Sequence, residues 1–86
     1  MAERACRCCG VGVAVPDPHH LVRRRHQGTD EPANIIPLCR TCHTLFHNGV
    51  RWVAVAIRAA LLPHELAYIT VLKGREWVDR IYPVAA

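Results

Sequence analysis

Long apolar stretches are missing from this chain. No run approaches the ~18 consecutive apolar residues needed to cross a bilayer. Residues 52–57 and 59–62 are apolar, but Arg58 and Pro63 interrupt them, so no membrane partner is expected. Met1-Ala2-Glu3-Arg4 runs straight into cysteines without an apolar h-region, which argues against a secretory signal peptide. Repeats and low-complexity segments are also lacking. Aromatic residues make up only 6% of 86 residues. A chain of this size with so few large side chains gains little stability from a core alone and needs a staple. Acidic residues are outnumbered, 7 against 11 Lys and Arg, which leaves a net charge of +4. That balance is compatible with a nucleic-acid partner but does not establish one.

The cysteines supply the staple. Cys6-x2-Cys9 and Cys39-x2-Cys42 form two matched pairs, each able to grip one edge of a tetrahedral zinc ion with Zn–S distances of about 2.3 Å. With no leader expected, the chain reads as cytoplasmic, where such pairs mean metal and not disulfide. The 29 residues between the pairs (10–38) exceed the usual ribbon spacing of about 15–20, so something is inserted between the knuckles. Cys8 is the odd thiol. Using it in place of Cys6 or Cys9 would break the x2 spacing. A two-cysteine, two-histidine finger from Cys6, Cys9, His43 and His47 fails, since residues 10–42 would have to form its linker and Cys39 and Cys42 would be left over.

With four thiolates assigned, the histidines are free for a second, open site. His43 and His47 are i and i+4 on an expected helix over residues 40–47, so their rings share a face. His19 and His20 fall in an expected strand over 19–22, where neighbours point to opposite sides. One can ligate while the other takes a proton. A short strand over 11–15 and a second hairpin strand over 35–38 complete the first half. Helices are expected over 50–62, from Pro63 to about Lys73, and over 75–82. Arg23, Arg24 and Arg25 place positive charge beside the histidines, which suits phosphate contact, with a solvated loop face as the alternative. His26 and His64 read as surface residues. Trp52, Trp77, Tyr68 and Phe46 read as core. The segment 50–62 is apolar nearly all round, which favours core but leaves a homodimer or partner face open.

This order of residues resembles the HNH nucleases, the ββα-metal endonucleases. Asn34-Ile35-Ile36-Pro37-Leu38-Cys39-Arg40-Thr41-Cys42-His43 is similar to that family's N-x-x-x-L-C-x-x-C-H signature. The resemblance covers residues 6–47. It implies one α+β domain over 1–86, with zinc knuckles and a ββα-metal core at 6–47 and a helical extension at 50–82 that resembles the tails of small phage-borne members. It also implies roles: His19, His43 and His47 as ligands of a catalytic divalent metal, and His20 as general base. Asn34 would fix the loop and orient the base, and Asp17 would support the site. The substrate would be DNA. Imidazole ligation suits Ni²⁺, Zn²⁺, Mn²⁺ or Co²⁺ better than Mg²⁺. Two rivals stand beside this reading. One is a non-catalytic zinc module that binds DNA or protein. The other is a nuclease that works within a phage packaging or replication complex.

Overall fold

A computed structural model describes residues 4–85. Two small antiparallel sheets and four helices make up the α+β fold. Strands β1 (Arg4–Ala5) and β2 (Gly12–Val13) pair around the first knuckle. Its turn closes through Gly10 N–H donating to Cys6 O at 2.8 Å, with Gly10 at φ +81°, a conformation side chains rarely adopt.

The second ribbon carries the histidines. Pro16-Asp17-Pro18 holds the backbone extended, and β3 (Asp17–His20) pairs with β4 (Ile35–Leu38). Pro18 lies opposite Pro37, so neither ring removes a ladder bond from a third strand, which a two-stranded ribbon lacks. The strand starts and stops earlier than the expected 19–22. Leu21 and Val22 instead turn into the core, where the Leu21 amide donates to Asn34 O at 2.7 Å.

Helix α1 (Arg40–His47) begins at Cys39, whose sulfur accepts from the Cys42 amide at 3.4 Å. The chain turns at Gly49 (φ +78°) into α2 (Arg51–Ala60), followed by α3 (Pro63–Lys73) and α4 (Arg75–Ile81). The α2 helix is shorter than the expected 50–62 because Leu61 and Leu62 are extended, as the residues leading into Pro63 prefer. Among the described residues no single helix is long and apolar enough to cross a membrane.

One apolar cluster joins the ribbon to the extension: Leu21, Val22, Ile36 and Leu38 meet Val53, Ile57, Ile69, Val78 and Tyr82, all at most 2% exposed. Phe46, Tyr68 and Trp77 pack against it as expected, but Trp52, expected in the core, does not. It is 57% exposed, because Val53 and Ile57 face inward and their helical periodicity turns Trp52 outward. One part-buried polar link reinforces this junction and a second ties the extension's own helices together. Arg7 of the knuckle grips Glu65 of α3 with both Nη atoms at 2.7 and 2.8 Å and donates to Ala60 O. Burial pushes the Glu65 carboxyl up, but the Arg7 bonds and the Leu62 amide outweigh it and hold the acid below its ordinary range. Arg58 of α2 donates to Asp79 and to the carbonyl of Tyr82, at 2.9 and 2.8 Å.

Candidate metal centre

His19, His43 and His47 converge from β3 and α1, each offering one ring nitrogen, with the three atoms within 4.8 Å of one another. Zinc binds imidazole at about 2.0–2.1 Å, which puts neighbouring nitrogens ~3.4 Å apart on a tetrahedral edge. The Nε2 atoms of His43 and His47 lie 3.0 Å apart, so this donor set fits a small divalent cation. Burial, then the charges of His43 and His47, pulls the pKa of His19 down to about 3. His47 is lowered as well, by desolvation and then by His43 and Arg23. Neutral imidazole is the ligating form, and the site keeps both rings in it.

The hydrogen bonds give each ring a direction. Asp17 Oδ2 lies 3.2 Å from His43 Nδ1 and accepts its N–H. Arg40 donates to the same oxygen at 2.8 Å, and these two bonds, Arg40 first, hold the Asp17 carboxyl below its usual range. His43 therefore presents Nε2 to the site, the arrangement in which a carboxylate orients a metal-binding imidazole. Arg23 Nη2 donates to His47 Nδ1 at 2.8 Å, so His47 carries its proton on Nε2 and donates it to His43. His19 Nε2 lies 3.0 Å from the hydroxyl of Tyr82.

His20 stands apart from the three. Its Nε2 meets Asp30 Oδ1 at 3.0 Å, and a carboxylate can only accept, so the ring's lone pair is on Nδ1. Asp30 is held below its ordinary pKa by His20 and then by Arg24, which bonds the same oxygen at 2.8 Å. The Asn34 side chain makes its hydrogen bonds to Val22 and Thr29 and none to His20. It is fully buried, and its amide binds both polar groups of Val22 and the carbonyl of Thr29, fixing the loop between the strands. Gly28 allows that loop: a Cβ there would sit 1.8 Å from Val22 O. The three arginines diverge, Arg23 to His47 and Arg24 to Asp30, with Arg25 exposed. His26 and His64 are exposed. Asp30 and Tyr82 are hydrogen-bond partners of His20 and His19 that spacing could not reveal, since each meets its histidine only through tertiary packing.

The four cysteines Cys6, Cys9, Cys39 and Cys42 form a second cluster within the same 4.8 Å limit. Sulfurs at about 2.3 Å from zinc lie ~3.8 Å apart on a tetrahedral edge, and Cys9 Sγ is 3.8 Å from Cys39 Sγ. Burial raises the Cys6 thiol, but amides of Cys39, Cys9 and Cys8 more than offset this and bring it to about 6. Burial and the neighbouring sulfurs push Cys42 up, a conflict that a divalent cation among the thiolates relieves. Cys8 stays outside the set, its amide donating to Cys6 Sγ.

Beside the histidines, a cleft of about 590 Å³ runs between α1, α2 and α4. His20, Arg23, His26, His47, Arg51 and Arg80 line it, and among the described residues no carboxylate does. The family model of the HNH endonucleases matches residues 6–49, just over half of the chain, from the first knuckle to the turn after α1. No curated protein and no solved structure matched the sequence. A zinc-type knuckle pair enclosing a His-bearing ββα unit, matched over that whole span, makes the chain a member of the HNH endonuclease family, a nuclease in general terms.

Proposed function

We propose that the protein is a metal-dependent DNA endonuclease, with His20 as general base and one divalent cation on His19, His43 and His47. One observation carries the reading: adjacent residues of β3 have separate environments. His19 is 2% exposed and faces two further imidazoles, whereas His20 lies outside that cluster with its lone pair on Nδ1. A purely structural second site has no use for a fourth histidine held beside it.

His19, His43 and His47 would hold a divalent cation, which when bound would supply positive charge to offset the negative charge that builds up on the phosphodiester. His20 takes a proton from water at Nδ1, the water oxygen attacks phosphorus, the phosphorus–oxygen bond to the leaving strand breaks, and the leaving oxygen takes a proton from solvent. Asp30 holds the His20 ring by Nε2 and stabilises the imidazolium that forms. Asp17 keeps His43 in the ligating tautomer. Ligation through His47 Nε2 requires that ring's proton on Nδ1, so Arg23 loses its acceptor and is left as a cation on the cleft wall it already lines. Arg51 and Arg80 extend that positive wall along the helices, which supports a phosphate backbone as the ligand. The four thiolates of the zinc site need reducing surroundings, so the proposed workplace is the cytoplasm.

The test is supercoiled-plasmid cleavage across Ni²⁺, Zn²⁺, Mn²⁺, Co²⁺ and Mg²⁺, paired with calorimetric metal titration. His20→Ala is expected to lose cleavage by about 10²–10⁴-fold while metal affinity holds. His43→Ala and His47→Ala are expected to lose both. Wild-type cutting by His20→Ala would sink the mechanism.

A further inference from the structure

We propose that Tyr82, at the end of the helical extension, is a positioning residue of the metal centre: its hydroxyl fixes His19 in the Nε2–H tautomer, so that His19 ligates through Nδ1. This rests on the reading of His19 as a ligand, and it lies beyond the family match, which ends at residue 49.

The tautomer follows from the number of protons the two side chains carry. A phenol has one, and the Leu21 carbonyl, 2.6 Å from the Tyr82 oxygen, can only accept. The Tyr82 O–H therefore donates to Leu21 O. At 3.0 Å from His19 Nε2 the same oxygen can then only accept, so Nε2 carries the hydrogen. A neutral imidazole has one N–H, which leaves the lone pair on Nδ1. Tyr82 is 0% and His19 2% exposed, so no bulk water stands ready to replace either bond. The opposite tautomer would face two lone pairs across a buried gap.

Tyr82 is itself held from three sides. Its ring stacks on Phe46, with centroids 5.4 Å apart and planes 9° apart. Phe46 in turn sets an edge-to-face contact on His19 at 4.7 Å. Arg58 donates to the Tyr82 carbonyl, and the Tyr82 amide closes α4 on Val78 O at 2.8 Å. Thus α4 reaches the first metal ligand through one hydroxyl, and the extension takes part in the site besides covering the core.

Tyr82→Phe keeps the ring and its stacking but removes the hydroxyl. ¹⁵N NMR of the zinc-stapled protein, before Ni²⁺ is added, is expected to show His19 as the Nε2–H tautomer, and a mixture in Tyr82→Phe. Ni²⁺ titrated into the same protein, its four-cysteine site already filled with zinc, is expected to bind the variant ~10–100-fold more weakly. A merely structural tyrosine would leave both tautomer and affinity unchanged, which overturns the proposal. Finding Nδ1–H in the unmutated protein overturns it too, with no variant that has to fold. His19→Ala separates the two readings. Undiminished Ni²⁺ affinity there removes the ligand assignment itself, whereas weakened affinity there beside an unaffected Tyr82→Phe removes only the role of Tyr82.

Discussion

At the residue scale, His19 and His20 differ because a strand turns neighbouring side chains to opposite sides. Burial holds His19 neutral, the form the proposed ligation needs, and Asp30 bonds His20 by one nitrogen, which leaves the other free for the proposed proton transfer. Asp30 is 66% exposed, so its grip is weaker than that of a buried carboxylate. Asp30→Ala is therefore expected to lower the plasmid-cleavage rate only ~10-fold with metal affinity unchanged. Asp30→Asn, which keeps an accepting oxygen, should lose less. Equal rates for Asp30→Ala and wild type would show that His20 needs no partner. The histidines could be read from sequence because their relation is local, adjacent in a strand or four apart in a helix. Asp30 and Tyr82 meet His20 and His19 across 10 and 63 residues, and no spacing rule spans such gaps. Asn34 could be read as a loop anchor, but its partners at Val22 and Thr29 could not.

At the element scale, α1 serves both metal clusters. Cys39 caps it, Cys42 and His43 lie in its first turn and His47 one turn further on, so the thiolate end fixes where the imidazoles point. Binding at a structural zinc site is worth roughly 10–16 kcal/mol, as much as a small domain's whole stability of about 5–15 kcal/mol. Cys39→Ser is accordingly expected to lose zinc and unfold, carrying His43 and His47 with it, while Cys8→Ser keeps both metal and fold. Zinc content by elemental analysis and melting by circular dichroism check the pair. A fully zinc-loaded, normally melting Cys39→Ser would refute the four-cysteine assignment. The span of α1 matches the expected 40–47: Asn48-Gly49 closes it, with Gly49 at φ +78°, while the Cys39 cap that opens it became visible only in the structure. In α2, apolar residues nearly all round gave no marked face, so the outward turn of Trp52 became visible only once Val53 and Ile57 had a core to face.

At the scale of the whole molecule, Arg7–Glu65 ties the extension to the first knuckle, Arg58–Tyr82 ties α2 to the end of α4, and this packing creates the cleft. The net charge of +4 could not say where the charge collects, since Arg23, Arg51 and Arg80 lie far apart in sequence and share a wall only after packing. Of the arginines beside the histidines, Arg24 is already tied to Asp30. The DNA footprint should therefore depend more on α2 and α4 than on the basic run alone. Each phosphate contact contributes about 0.9 to the slope of log affinity against log salt. Arg51→Ala with Arg80→Ala is expected to weaken DNA binding and reduce that slope by up to ~2, whereas Arg24→Ala changes it less. Both replaced residues are exposed, so melting should hold, and the arginine bonded to His47 is Arg23 and not either of these, so Ni²⁺ affinity should hold too. Fluorescence anisotropy on a duplex at several salt concentrations measures the slope. If the double variant keeps the wild-type slope, the strand does not run along the cleft, and the extension's contact with function narrows to Tyr82.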